Sequence, residues 1–154
     1  MKRLAIGDFA PDFTLPDHTG EFVKFSDVCR QKNVLLVFNF GFVCPHCKNH
    51  MMQLHHDYQK IQAMDAEVLV VVPNGPKTIS DYRRNTGTPY PILSDKGSRV
   101  AGQYSQIKQF LSLGTPTVFV VDHSGQIRYA YYATSMIEEP DNSAPLSILA
   151  EIAG

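Results

Sequence analysis

Three short runs of almost unbroken apolar residues punctuate the chain, at 34–40, 68–72 and 117–121. They are rich in Val, Leu, Ile and Phe, which marks strands buried on both faces rather than strands with one wet side. Between them the pattern changes period. From 48 to 63 there is no Gly or Pro, and Met51, Leu54, Tyr58 and Ile61 recur at the spacing of one helical face. Residues 77–85 and 98–104 read as further helices, with a loop at 86–89 and a short strand at Ile92 and Leu93. Pro73-Asn74-Gly75-Pro76 ends the second run with four turn formers. After the third run, Asp122-His123-Ser124-Gly125 predicts a hairpin connection to a returning strand at 126–133. A polar loop is expected at 138–145, and a closing helix after it. At the other end, 12–15 and 21–25 read as short strands joined by a turn, with Ser26 placed to cap a brief helical turn. Buried strands alternating with helices predict an α/β fold with one antiparallel hairpin at the sheet edge.

Composition narrows the function classes. The 154 residues fit one domain, read here as 1–154, that can bury a sizeable core without disulfide staples. Lys plus Arg is 14 and Asp plus Glu is 15, so no basic excess is available to neutralise phosphates, and no nucleic-acid partner is expected. No window approaches ~18 uninterrupted apolar residues, so no membrane span is expected. Gly7 and Asp8 interrupt the basic N-terminus before a signal-like apolar run can form. The expectation is a cytoplasmic protein, or an exported one if a signal was removed.

The chain has three cysteines, Cys29, Cys44 and Cys47. An odd count is no disulfide framework, and a Cys-x-x-Cys in the cytosol points to catalysis or metal. Cys44-Pro45-His46-Cys47 lies between a buried strand and a helix. That places Cys44 at the N-cap and Pro45 at the first helical position, where a missing N–H costs nothing. Free backbone N–H groups and the helix dipole favour a thiolate at Cys44. Cys47, one turn on, can close a disulfide with it. Cys44 is thus the expected attacking thiol and Cys47 the resolving one. An imidazolium at His46 would further stabilise the thiolate and make the disulfide more oxidising. A zinc site would need a second compact pair, and Cys29 stands alone. A soft ion such as copper(I), held by Cys44, Cys47 and His50, is an alternative non-enzymatic reading. His50, His55 and His56 are otherwise read as solvated residues on an exposed helix face. Cys29 is read as a packed hydrophobe. No glycine-rich phosphate cradle is present, and no cofactor or resident metal is expected.

A strand, Cys-Pro-His-Cys at a helix start, then Thr115-Pro116-Thr117 before a strand and hairpin, together resemble the thioredoxin fold. The resemblance is closest to the peroxiredoxin-like AhpC/TSA and TlpA/ResA group. The segment 7–15 looks like that group's opening. Asp17-His18-Thr19-Gly20 with 23–27 looks like its first hairpin, 91–95 and 100–104 like its later strand and helix, and 120–127 like its closing hairpin. The resemblance implies a three-layer α/β/α fold, with a central mixed β-sheet and an N-terminal β-hairpin extension. It implies that Pro116 is cis beside the cysteine pair, and that Thr115 offers backbone contacts to a bound substrate chain. The implied activity is dithiol/disulfide exchange on a protein or small-molecule disulfide, with electrons from a thioredoxin-type partner or a low-molecular-weight thiol. A peroxiredoxin-type thiol peroxidase, with Cys44 peroxidatic, is the alternative. Against it, Gly41 stands where peroxiredoxins carry Thr or Ser, Val37 where they carry Pro, and Pro116 and Thr117 where they carry Arg. Cys-Pro-His-Cys itself is similar to dithiol oxidases of the DsbA type, whose large helical insertion has no room here. Val43 replaces the Trp that precedes the first cysteine in thioredoxins.

Overall fold

The computed structural model describes residues 4–39, 41–42, 45–105, 117–133 and 142–153, with backbone alone at 45–47 and 105. Its centre is a five-stranded sheet. The strands are β3 (Asn33–Phe38), β4 (Ala66–Val72), β5 (Ile92–Ser94), β6 (Thr117–Val121) and β7 (Ile127–Tyr132), in the order β5-β4-β3-β6-β7. β3 runs parallel to β4, and β4 to β5, while β6 is antiparallel to both β3 and β7. A separate antiparallel pair, β1 (Thr14–Pro16) and β2 (Phe22–Lys24), forms the N-terminal hairpin. This is the mixed sheet and hairpin extension that the resemblance implied.

Every residue of β3 and β6 is buried, because both faces are covered. Side chains alternate across a strand, so neighbouring residues feed opposite cores. Leu35, Val37, Val68, Val70, Val118 and Val120 point to a layer with Met51, Leu54 and Ile61 of helix α2 (Pro45–Ala63), Ile79 of α3 (Pro76–Thr86) and Leu149 of α5 (Ser143–Ile152). Val34, Leu36, Phe38, Leu69, Phe119 and Val121 point the other way. There they meet Phe25 and Cys29 of α1 (Phe25–Gln31) and Val100 and Tyr104 of α4 (Arg99–Ser105). The result is three layers, α/β/α.

Two local expectations change. Ser26 does not cap α1: the Ncap residue is Lys24, with no side-chain cap bond. Instead Asp12, fourteen residues upstream, accepts hydrogen bonds from the Ser26 N–H at 2.9 Å and the Ser26 hydroxyl at 3.0 Å. A carboxylate from outside the helix thus complements its positive end. The closing helix also starts at Ser143, inside the segment that polar composition reads as loop.

Candidate active site at the head of helix α2

β3 delivers the chain to the carboxyl edge of the sheet, where α/β folds place their ligands. The Asn39 N–H donates to the Val71 carbonyl at 3.0 Å, extending the ladder one residue past β3. The Asn39 side chain is buried, and its Oδ1 and Nδ2 have no hydrogen-bond partner among the described residues. Buried orphan amides are rare, and they concentrate where a site or an ordered water needs them. Asn74, just past the end of β4, carries a second buried atom, Oδ1, with no hydrogen-bond partner among the described residues.

Between these amides runs Gly41, with φ +124°. A β-carbon at this position would sit 3.2 Å from Asn74 Oδ1. The backbone, and not only the missing hydroxyl, therefore disfavours the Thr or Ser of a peroxidatic site. Phe42 follows, buried, with its ring stacked on Tyr82 of α3 at 4.3 Å and 11°. That stack pins the last turn of chain before the cysteine motif.

α2 begins at Pro45, so Pro45 occupies the first helical position and position 44 directly precedes it. The first turn of α2 holds no acidic residue. No carboxylate there offsets the positive helix end, which leaves it available to a thiolate. Cys44, Thr115 and Pro116 lie outside the described residues, as do the side chains of Pro45, His46 and Cys47. Their roles are taken up below.

Beyond the motif, the helix departs from expectation. Lys48, Asn49, Met52, Gln53 and His56 are exposed and His55 is half-buried, but His50 is only 1% exposed. His50 is therefore not a solvated surface residue. It lies in phase with Leu54, Tyr58 and Ile61 on the face that packs into the core. Its Nε2 lies 3.3 Å from Oδ1 of Asn142, and Asn142 Nδ2 donates to Asp57 Oδ2 at 3.1 Å. The phase was readable from the sequence; the partner, ninety-two residues away, was not.

Cys29 belongs to the opposite layer. It is packed with Phe25 and Tyr104, and burial, with Asp12 and Asp122 adding to it, pushes its thiol pKa up to about 12. At neutral pH it is a neutral hydrophobe, as expected. Among the described residues no group of three His, Cys, Asp or Glu side chains could hold a metal ion.

Residues 6–130 match the AhpC/TSA family. The chain belongs to that family. It is 31% identical over 129 residues to alkyl hydroperoxide reductase E of Mycobacterium tuberculosis, covering 82% of this chain and 84% of that protein. It is 29% identical over 138 residues to thiol-disulfide oxidoreductase ResA of Geobacillus kaustophilus, covering 88% and 74%. The fold superposes on the crystal structure of peroxidoxin BcpB from Mycobacterium tuberculosis with a TM-score of 0.82, over 96% of this chain and 97% of that one, at 23% identity. This AhpC/TSA chain is thus an oxidoreductase with a thioredoxin-like fold, among relatives that are thiol-disulfide oxidoreductases and peroxiredoxins. Such enzymes act with redox partners and thiol substrates. No described helix is long and apolar enough to cross a membrane.

Proposed function

We propose that Cys44 and Cys47 are the redox pair of a thiol-disulfide oxidoreductase. What supports this reading is that the Cys44-Pro45-His46-Cys47 sequence spans the start of α2, a helix that follows the fully buried β3 and carries no acid in its first turn. Cys44 thiolate attacks one sulfur of a substrate disulfide, and the other sulfur leaves as a thiolate. Cys47 then attacks Cys44; the Cys44–Cys47 bond forms, the mixed disulfide breaks, and the substrate departs as a dithiol. Two electrons pass from the enzyme dithiol to the substrate. Run backwards, the same steps oxidise a dithiol.

Pro45 sets the helix start, and His46 raises the stability of the Cys44 thiolate. Thr115 and Pro116 dock the substrate chain beside the pair. A thioredoxin-type protein or a low-molecular-weight thiol returns the electrons, and the cytosol is the compartment in which we place the cycle. Peroxide reduction is disfavoured by the Gly41 backbone, which holds a positive φ against Asn74.

The test is a pair of variants assayed on a disulfide substrate. Cys44→Ser abolishes turnover, and Cys47→Ser accumulates the mixed disulfide, visible by intact mass. Wild-type turnover in Cys44→Ser would overturn the assignment.

A further inference from the structure

We propose that the cavity between the N-terminal hairpin and α4 binds a small organic carboxylate with an apolar body, held by Lys96 and Arg99. The site belongs to the layer opposite α2, and it stands apart from the exchange reading. The cavity measures about 350 Å³, within the range of small-ligand sites. Leu15 and Phe22 of the hairpin and Val100 of α4 supply apolar walls, together with the buried ring of Phe13. Phe22 is 73% exposed, more than any other large hydrophobic residue described. Its ring is apolar surface that the body of a ligand would cover.

The charged groups of the cavity divide unequally. Asp12 and Asp95 line it, but their oxygens already have donors. Asp12 accepts from the N–H groups of Phe13 and Ser26, both at 2.9 Å, and from the Ser26 hydroxyl at 3.0 Å. Asp95, itself buried, accepts from the N–H groups of Val100 at 3.2 Å and Ala101 at 3.0 Å. Lys96 and Arg99 line the same cavity, and among the described residues neither makes a hydrogen bond or an ion pair. The formal charges cancel, yet the unmet capacity of these four side chains is all on the donor side, because ammonium and guanidinium groups only donate. A carboxylate meets that demand, and the planar fork of Arg99 matches its two oxygens.

The backbone sets the two cations in place. The Ser98 N–H donates to the Asp95 carbonyl at 2.9 Å, which closes a tight turn with Lys96 and Gly97 at its corners. Gly97 has φ +83° and Ser98 φ +55°, the second a left-handed conformation that costs a residue with a β-carbon energy. Arg99 opens α4 directly after this turn. The stem of Lys96 is held as well. A β-carbon at Gly75 would lie 2.9 Å from its Cε and 3.4 Å from its Nζ, so the stem runs close along the Gly75 backbone. Both side chains are nonetheless exposed, and their charged heads are open to a ligand. Cations already restrained by the turn and by Gly75 lose less freedom when they bind an anion.

Naphthoate titrated into the full-length protein tests the site, followed by calorimetry and by ¹H–¹⁵N spectra. Saturable binding with a Kd of about 1 mM or tighter is expected, with the largest shifts at Leu15, Phe22 and the α4 turn. Naphthamide has the same body without the charge, and binds at least about tenfold more weakly. Replacing both cations, Lys96→Gln with Arg99→Gln, weakens naphthoate at least about tenfold and removes the salt dependence that wild type shows. Phe22→Ser weakens naphthoate and naphthamide by the same factor. All three replaced side chains are exposed, so the variants keep the wild-type fold, which their amide spectra show directly. Absence of saturable binding, shifts centred away from the hairpin and α4, equal affinity for naphthamide, or full affinity in the double variant would each overturn the proposal.

Discussion

On one face of the central sheet, Cys29 is wedged among Phe25, Tyr104 and Phe119. On the other, α2 begins at Pro45, and Asn39 and Asn74 carry buried amide atoms without partners among the described residues, while His50 is tied to Asn142. The first layer is an aromatic stack: Phe13 lies on Phe25 at 4.9 Å, and Tyr104 meets Phe13, Phe25 and Phe119 edge-on at 5.4–6.5 Å. Among the described residues nothing there lowers the energy of a thiolate, and burial raises it. The second layer is as deeply buried below the sheet edge, but polar atoms and a helix end gather at its mouth. The same residue type is therefore inert in one layer and, on the function proposed above, the reacting group in the other. Environment makes the difference.

The contrast can be broken from either side. Phe25→Ala should remove about 3–5 kcal/mol of stability, because it empties the centre of the aromatic layer. Exchange by the folded fraction should not change. Leu54→Ala on α2 should cost about 2–5 kcal/mol and also slow exchange, since α2 then loses its seat on β4. Chemical denaturation with parallel activity measurement checks both. An equal loss of exchange in Phe25→Ala would mean the layers are not independent. A smaller effect is expected at the site's mouth. Gly41→Thr supplies the hydroxyl of a peroxidatic site but forces a β-branched residue to φ +124° against Asn74, and should cost about 1–3 kcal/mol. No peroxide consumption should be gained. A stable Gly41→Thr protein that reduces peroxide would show that the backbone at this position excludes nothing.

Much of this was legible in the chain. The runs that became β3, β4 and β6 announced themselves because both their faces are covered, and α2 did so through its apolar stripe. Pro45 fell at the first helical position as its chemistry requires. What stayed hidden depends on pairs distant in sequence. Asp12 replaces Ser26 at the head of α1, Asn74 crowds Gly41, and Asn142 reaches His50. Local propensity carries no information about such partners. Asn39 is a single polar residue inside an apolar run, and its buried amide has no hydrogen-bond partner among the described residues.

The central claim is that Cys44 and Cys47 act as a pair while Cys29 takes no part. It is tested most directly by equilibrating the protein with graded glutathione potentials, alkylating at pH 8, and mapping each cysteine by mass spectrometry. A single two-electron transition is expected, with Cys44 and Cys47 leaving the thiol pool together. Cys29, its pKa held near 12, should remain an unalkylated thiol throughout. A midpoint near about −270 mV would make the enzyme a reductant, and one near about −120 mV an oxidant. A disulfide that includes Cys29, or one-electron-equivalent loss of Cys44 alone, would contradict the account.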